Sequence, residues 1–133
     1  MKKGFLCLSI LFIIISFTTA QPGSNKNITC KQAMELIQKH NQDADFIILD
    51  VRTPEEFKIE HIENAILIDY RSGDFKDKIN QLDKKKTYLV YCRGGGRSAG
   101  AIEIMKDLDF ISLYHLYEGM EIWKNEGYKT VSE

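Results

Sequence analysis

Hydrophobic residues in this chain fall into short dense runs, separated by stretches in which they recur every three or four positions. The runs FIILD, AILIDY, TYLVY and SLYHL are too short for helices and almost wholly apolar, the pattern of strands covered on both faces of a sheet. Between them lie helix spacings: Ala33, Leu36 and Ile37 in ITCKQAMELIQKH, and Phe75, Ile79 and Leu82 in SGDFKDKINQL. VRTPEEFKIEH predicts a further helix whose start is specified by Thr53 as cap, Pro54 in the first turn and Glu56 completing a capping box. SAGAIEIMKDL and GMEIWKNEG supply two more. Strands alternating with helices predict an α/β domain with a mainly parallel central sheet and helices on both faces. DKKK is a solvated turn, the connections are short, and no internal repeat breaks the series. The polar, aperiodic QPGSNKN predicts a loose lead-in over 21–27, ahead of one domain at 28–133.

The start of the chain changes the setting. MKKGFLCLSILFIIISFTTA places two lysines before an apolar stretch, with small residues Thr18 and Ala20 ahead of Gln21, the pattern of a secretory signal peptide over 1–20. The expectation is an exported protein, periplasmic or secreted, without stable membrane insertion after cleavage. Retention as an anchor is the alternative, although a spanning helix usually needs about twenty apolar residues. Cleavage after Ala20 leaves 113 of the 133 residues, enough for one modest core. A monomer is expected. The chain has 18 Lys and Arg and 19 Asp and Glu; without Lys2 and Lys3 the balance is 16 against 19, a formal charge of −3. With no long basic run there is no stripe to track phosphates, so nucleic acid is not an expected partner.

Chemistry gathers at the ends of two runs, where open parallel sheets bind their ligands. FIILD ends on Asp50, and TYLVY leads into Cys92, followed by Arg93, Gly94, Gly95, Gly96, Arg97 and Ser98. Within this loop the chain must turn from a buried strand into a helix starting near Ser98. Glycines permit positive φ and a close approach of main-chain amides. Converging amides and a helix N-terminus make an anion-binding nest, which favours the thiolate over the thiol. Cys92 is thus the expected nucleophile, and Arg93 and Arg97 supply charge for the thiolate or an anionic substrate. Cys30 reads as a small residue opening the first helix and not as a disulfide partner, since a bridge would consume Cys92. No lysine followed by serine or threonine closes the loop, so a nucleotide-binding P-loop is not expected. Asp45, Asp50 and His61 lack the convergent spacing of a metal site, and neither metal nor cofactor is expected.

The segments DVRTPEEFKIEHIENA, VYCRGGGRSAGA and LYEGMEIWKNEG resemble the successive signatures of the rhodanese-like domain family, in its single-domain sulfurtransferase form, from about Ile28 to Val131. The resemblance sets Asp50 and Arg52, Glu56 and Phe57, and His61 and Ile62 on family positions; the active cysteine falls on Cys92, the loop glycine on Gly95 and the closing arginine on Arg97. The usual glycine pair near the end becomes Glu118 and Gly119, with Trp123 following. Glu60 and Asn64 also stand where the family has glycine, so three turns depart from its pattern, and Glu118 could alter access to the pocket. What the resemblance implies is transfer of sulfane sulfur: the Cys92 thiolate attacks the outer sulfur of thiosulfate or a related donor, sulfite leaves, and a small thiol, cyanide or protein thiol takes the sulfur from the persulfide. Cys92 and Arg97 are then catalytic, and Arg93, Gly94, Gly95, Gly96 and Ser98 bind substrate. Asp50, Arg52 and His61 brace the rim; the cycle gives His61 no water to deprotonate.

Two rival readings share the residues. A thiol phosphatase or arsenate reductase also needs a cysteine, converging amides and an arginine, but related phosphatases place five residues between cysteine and arginine where RGGG has four. A non-catalytic binding or regulatory module is allowed by the fold, since one fold hosts many functions, and would be favoured by loss of the cysteine or arginine. Both are present.

Overall fold

Two of the apolar runs lie side by side at the centre of the sheet, and the rest of the domain is arranged around them. The computed structural model describes residues 25–133, so the expected signal peptide at 1–20 and positions 21–24 of the lead-in lie outside the described residues. The first half comprises β1 (Asn25–Ile28), α1 (Cys30–Lys39), β2 (Phe46–Asp50), α2 (Pro54–Ile59) and β3 (Ile66–Leu67). The second comprises α3 (Phe75–Asn80), β4 (Thr87–Tyr91), α4 (Gly96–Asp107), β5 (Ser112–Leu116) and α5 (Gly119–Asn125). All sheet pairings are parallel, in the order β1-β5-β4-β2-β3. Among the described residues no helix is long and apolar enough to cross a membrane.

Alternation along the strands divides the core into two layers. Tyr88, Val90 and Cys92 face one side with Leu49, Val51, Phe75, Ile79, Ile102 and Met105, under α3 and α4. Leu89 and Tyr91 face the other with Ile48, Ala33, Leu116, Met120 and Trp123, under α1 and α5. Helices on both faces explain why β2 and β4 read as continuous apolar runs. The register pairs Asp50 with Tyr91, which puts Asp50 and Cys92 at the carboxyl ends of neighbouring strands.

Three boundaries differ from the sequence expectation. The lead-in is not loose up to residue 27: Asn25, Lys26 and Asn27 belong to β1, in register with Leu113, Tyr114 and His115. This edge strand is held through its main chain while its first three side chains are exposed, so hydropathy carries no trace of it. AILIDY contributes only Ile66 and Leu67 to the ladder, at the other edge. The helix after the cysteine loop begins at Gly96, two residues ahead of Ser98. At α2 the capping box forms as the sequence predicts: Thr53 Oγ1 accepts from the Glu56 amide, and the Glu56 carboxylate accepts from the Thr53 amide.

Candidate active site

Cys92 leaves β4 with its side chain directed toward α4 and is 1% exposed. Its Sγ accepts from the Gly95 amide at 3.1 Å and lies 3.2 Å from Ser98 Oγ. Burial acts to push the thiol up. The Ser98 hydroxyl and the amides of Ser98, Gly95 and Gly94 outweigh it, leaving Cys92 below an ordinary cysteine. The arrangement is a nest that favours a thiolate at its centre.

Only one of the three loop glycines adopts the left-handed conformation. Gly95 has φ 97°, and a Cβ there would collide with the Tyr117 carbonyl, whereas Gly94 and Gly96 have open space around them. The sequence argument that the triplet supplies positive φ is therefore narrowed to a single residue. Behind the loop, Gly119 at φ 71° allows the start of α5 to close on it: the Met120 amide donates to the Cys92 carbonyl at 2.9 Å and the Glu121 amide to the Arg93 carbonyl at 3.1 Å.

The two loop arginines have different surroundings. Arg97 is forked onto Glu56, its two terminal nitrogens donating to the two carboxylate oxygens at 2.6 and 2.9 Å. That fork is the main reason the Glu56 carboxyl lies below its ordinary 4.5, at about 2. The positive charge expected to serve the thiolate or an anionic substrate is thus shared with a carboxylate from α2. Arg93 is 69% exposed and only loosely matched to Glu121, at 3.7 Å. It stands on the wall of a cleft of about 430 Å³ together with Arg52, Glu56, Met120, Glu121 and Lys124. Cys92 does not line this cleft, which opens beside the loop.

Asp50 and Arg52 form a buried pair, with Arg52 Nη2 donating to Asp50 Oδ2 at 2.8 Å and to the Glu60 carbonyl at 2.5 Å. The guanidinium also sits 5.7 Å from the centre of the Tyr91 ring. The pair therefore ties the ends of β2 and β4 to the end of α2 and makes no contact with Cys92 Sγ. His61 stacks on Phe57 at 3.7 Å between ring centres, and its Nδ1 donates to the Phe57 carbonyl at 2.8 Å. It belongs to the packing of α2.

Glu118, which stands where the family has glycine, accepts from the Cys30 amide at 2.7 Å and so serves the N-terminus of α1. Cys30 and Cys92 are both free and belong to opposite layers of the core. Burial, with Glu118 adding to it, pushes the Cys30 thiol up to about 12, so it stays protonated. Cys30 Sγ and the Glu118 and Glu126 carboxylates lie within 4.8 Å of one another, a set the sequence reading did not bring together. A cation there would have to displace the Cys30 proton.

Two participants escaped the sequence reading. Glu56 reads from the sequence as part of the α2 cap and a family position with no partner named, yet one of its oxygens serves Thr53 and Arg97 together. His115, read as one letter of a strand, approaches Ser98 Oγ with Nε2 at 2.7 Å. Its place one residue before the end of β5, on the face shared with Leu113, is the available signal.

A buried cysteine among hydrogen-bond donors that favour its thiolate, at the rim of a parallel sheet, defines a thiol-centred anion site. Comparison with known proteins gives that class its family. The family model for the rhodanese-like domain matches residues 29–126, and the chain belongs to that family. It is 32% identical over 99 residues to the thiosulfate sulfurtransferase GlpE of Coxiella burnetii, covering 74% of this chain and 87% of the relative. Among solved structures, a rhodanese-related protein of Thermoplasma volcanium superposes with TM-score 0.69 at 30% identity, covering 81% of this chain and 99% of that one. A rhodanese-like domain protein of Staphylococcus aureus gives 0.65 at 32%, covering 81% and 98%.

Two outcomes follow from the loop and its fork. Gly95→Ala should destabilise the fold by about 1 to 3 kcal/mol, through strain at positive φ and the Tyr117 carbonyl, while Gly94→Ala leaves the urea midpoint nearly unchanged. Equal midpoints would contradict the assignment. Because the Glu56 carboxyl is depressed, its stabilising contribution is complete above about 4.5 and is lost as pH falls toward 2. Glu56→Gln, partly exposed, should cost about 1 kcal/mol at neutral pH, and urea titrations should show the gap to wild type closing through that window. A gap independent of pH would count against the fork.

Proposed function

We propose that the protein moves sulfane sulfur from thiosulfate, or a related small donor, to a thiol or cyanide through a persulfide on Cys92. The single observation that carries this reading is the Cys92 Sγ held by the Gly95 amide and beside the Ser98 hydroxyl. Those groups favour the thiolate, and the same donors suit the anionic persulfide that replaces it. In the first half-reaction the thiolate attacks the outer sulfur of thiosulfate, the S–S bond to the sulfonate sulfur breaks and sulfite leaves with the electron pair. In the second, an acceptor thiolate or cyanide attacks the terminal sulfur and Cys92 leaves as thiolate. The low exposure of Cys92 favours small donors, and the exposed Arg93 guanidinium is placed to gather an anion at the rim. Arg97 and its Glu56 partner fix the loop from the α2 side. The name of the Coxiella relative, a thiosulfate sulfurtransferase, supports the same chemistry.

Reduced protein mixed with thiosulfate should gain the mass of one sulfur on Cys92, and Cys92→Ser should lose both adduct and turnover. Arg97→Ala should stay folded with transfer reduced roughly a hundredfold or more, since it removes a fixed charge and leaves Glu56 unpaired beside the loop. Arg93→Ala should weaken the dependence on thiosulfate concentration more than saturated turnover. Absence of a sulfur adduct together with absence of sulfite release would sink the proposal, and turnover of a phosphate ester in its place would reassign the oxyanion.

Export completes the reading: residues 1–20 carry the lysines, apolar stretch and Thr18–Ala20 pattern of a signal. Intact mass of the protein recovered from the cell envelope or medium should correspond to a start at Gln21. Recovery of the uncleaved chain in the cytosol would refute it.

A further inference from the structure

A continuous line of hydrogen-bonding groups runs from the cysteine across the sheet to its edge. Cys92 Sγ is 3.2 Å from Ser98 Oγ, Ser98 Oγ is 2.7 Å from His115 Nε2, and His115 Nδ1 is 3.1 Å from Asn27 Oδ1. Cys92, Ser98 and His115 are all buried, and Asn27 lies at the edge on β1, in register with His115. Ser98 has one hydroxyl proton and three neighbours within reach, the third being the Gly95 carbonyl at 3.1 Å; the shortest approach is to His115. An oxygen facing Nδ1 requires that nitrogen to carry its proton, which leaves Nε2 of the neutral ring as an acceptor.

We propose that His115 is the proton acceptor for Cys92, reached through the Ser98 hydroxyl, with Asn27 holding the ring in the tautomer that accepts. The Cys92 S–H proton passes to Ser98 Oγ as the Ser98 proton passes to Nε2. Neutral thiol and neutral imidazole become thiolate and imidazolium, with no heavy-atom bond made or broken. Every group remains bonded afterwards: Ser98 donates to the thiolate, Nε2–H donates to Ser98, and Nδ1–H still donates to Asn27. His115 is thus a positioning and proton-holding residue that acts on the sulfur through Ser98.

The surroundings suit a ring that starts neutral and charges with the thiol. Burial is the main reason His115 lies below an ordinary histidine; the Gly95 carbonyl acts against it and the Lys106 charge on α4 acts with it. β1 presents the neutral Asn27, and β4 the apolar register partner Val90. The counter-charge that makes imidazolium favourable is the thiolate itself, so the two groups titrate as a pair. The same proton stays on the ring while Cys92 carries a persulfide, a step that rests on the sulfurtransferase reading above; the relay to the thiol does not.

The test uses the full chain, reduced, with iodoacetamide alkylation of Cys92 followed against pH by mass spectrometry of its peptide, which separates it from Cys7 and Cys30. His115→Gln should raise the alkylation midpoint by roughly one unit, or about tenfold slower alkylation at neutral pH. In a Ser98→Ala background the same substitution should add nothing, because the connection is already cut. Asn27→Asp, at an exposed edge position, should lower the midpoint by stabilising imidazolium, and it carries the test alone if His115→Gln fails to fold. An unmoved midpoint in His115→Gln overturns the proposal. So does an equal shift with and without the Ser98 hydroxyl, which would mean charge acting through space, or a midpoint in Asn27→Asp that stays or rises. Alkylation reads the thiolate whether or not sulfur is transferred, so a silent thiosulfate assay with these shifts intact speaks only against the reading in the preceding subsection.

Discussion

Gly95 has to satisfy three demands at once, and the site exists only because glycine can meet them. Its amide points at Cys92 Sγ, its φ of 97° turns the chain from β4 toward α4, and its α-carbon passes beneath the Tyr117 carbonyl where no side chain fits. The carbonyl of the same residue accepts from the Ala99 amide, so the turn also starts the helix. From the other side the first amides of α5 bind the carbonyls of Cys92 and Arg93. The loop is therefore closed between two helix starts, and its amides are fixed before any anion arrives. Preorganisation of this kind is what makes donors effective toward developing charge.

Charge around the loop is matched pair by pair. Asp50 and Arg52 form one buried pair that holds α2 against the strand ends, and Glu56 and Arg97 form a second that reaches from α2 to α4. The second depends on α2 starting at Pro54, because the capping box fixes Glu56 in the position from which it meets Arg97. A six-residue helix thus connects the acid at one strand end with the arginine of the cysteine loop. Exposed Arg93 stands outside this arrangement, with the least constrained of the nearby positive charges.

Periodicity and composition made the central architecture legible: FIILD and TYLVY as covered strands, Thr53-Pro54-Glu56 as a helix start, and Cys92 at a strand end all correspond to what the structure contains. The edge strand was illegible because main-chain bonds to β5 need no apolar side chains. Which glycine carried the positive φ could not be read from GGG, since that depends on where the Tyr117 carbonyl lies after folding. The Glu56–Arg97 pair spans 41 positions and the His115–Asn27 contact 88. No local pattern encodes contacts at that separation; they follow from strand order.

Placing the two thiols in different layers of the core has a consequence for damage and repair. A low-pKa cysteine oxidised to a sulfenic acid is commonly protected by a second cysteine that closes a disulfide before further oxygen adds. Here Cys30 lies on the opposite side of the sheet and is held protonated, so neither its position nor its charge suits that role. Among the described residues Cys92 has no internal resolving partner. Because none of the described residues offers that thiol, recovery of an oxidised centre calls on one from beyond them, and the lifetime of the active form is set by its surroundings as much as by its own fold.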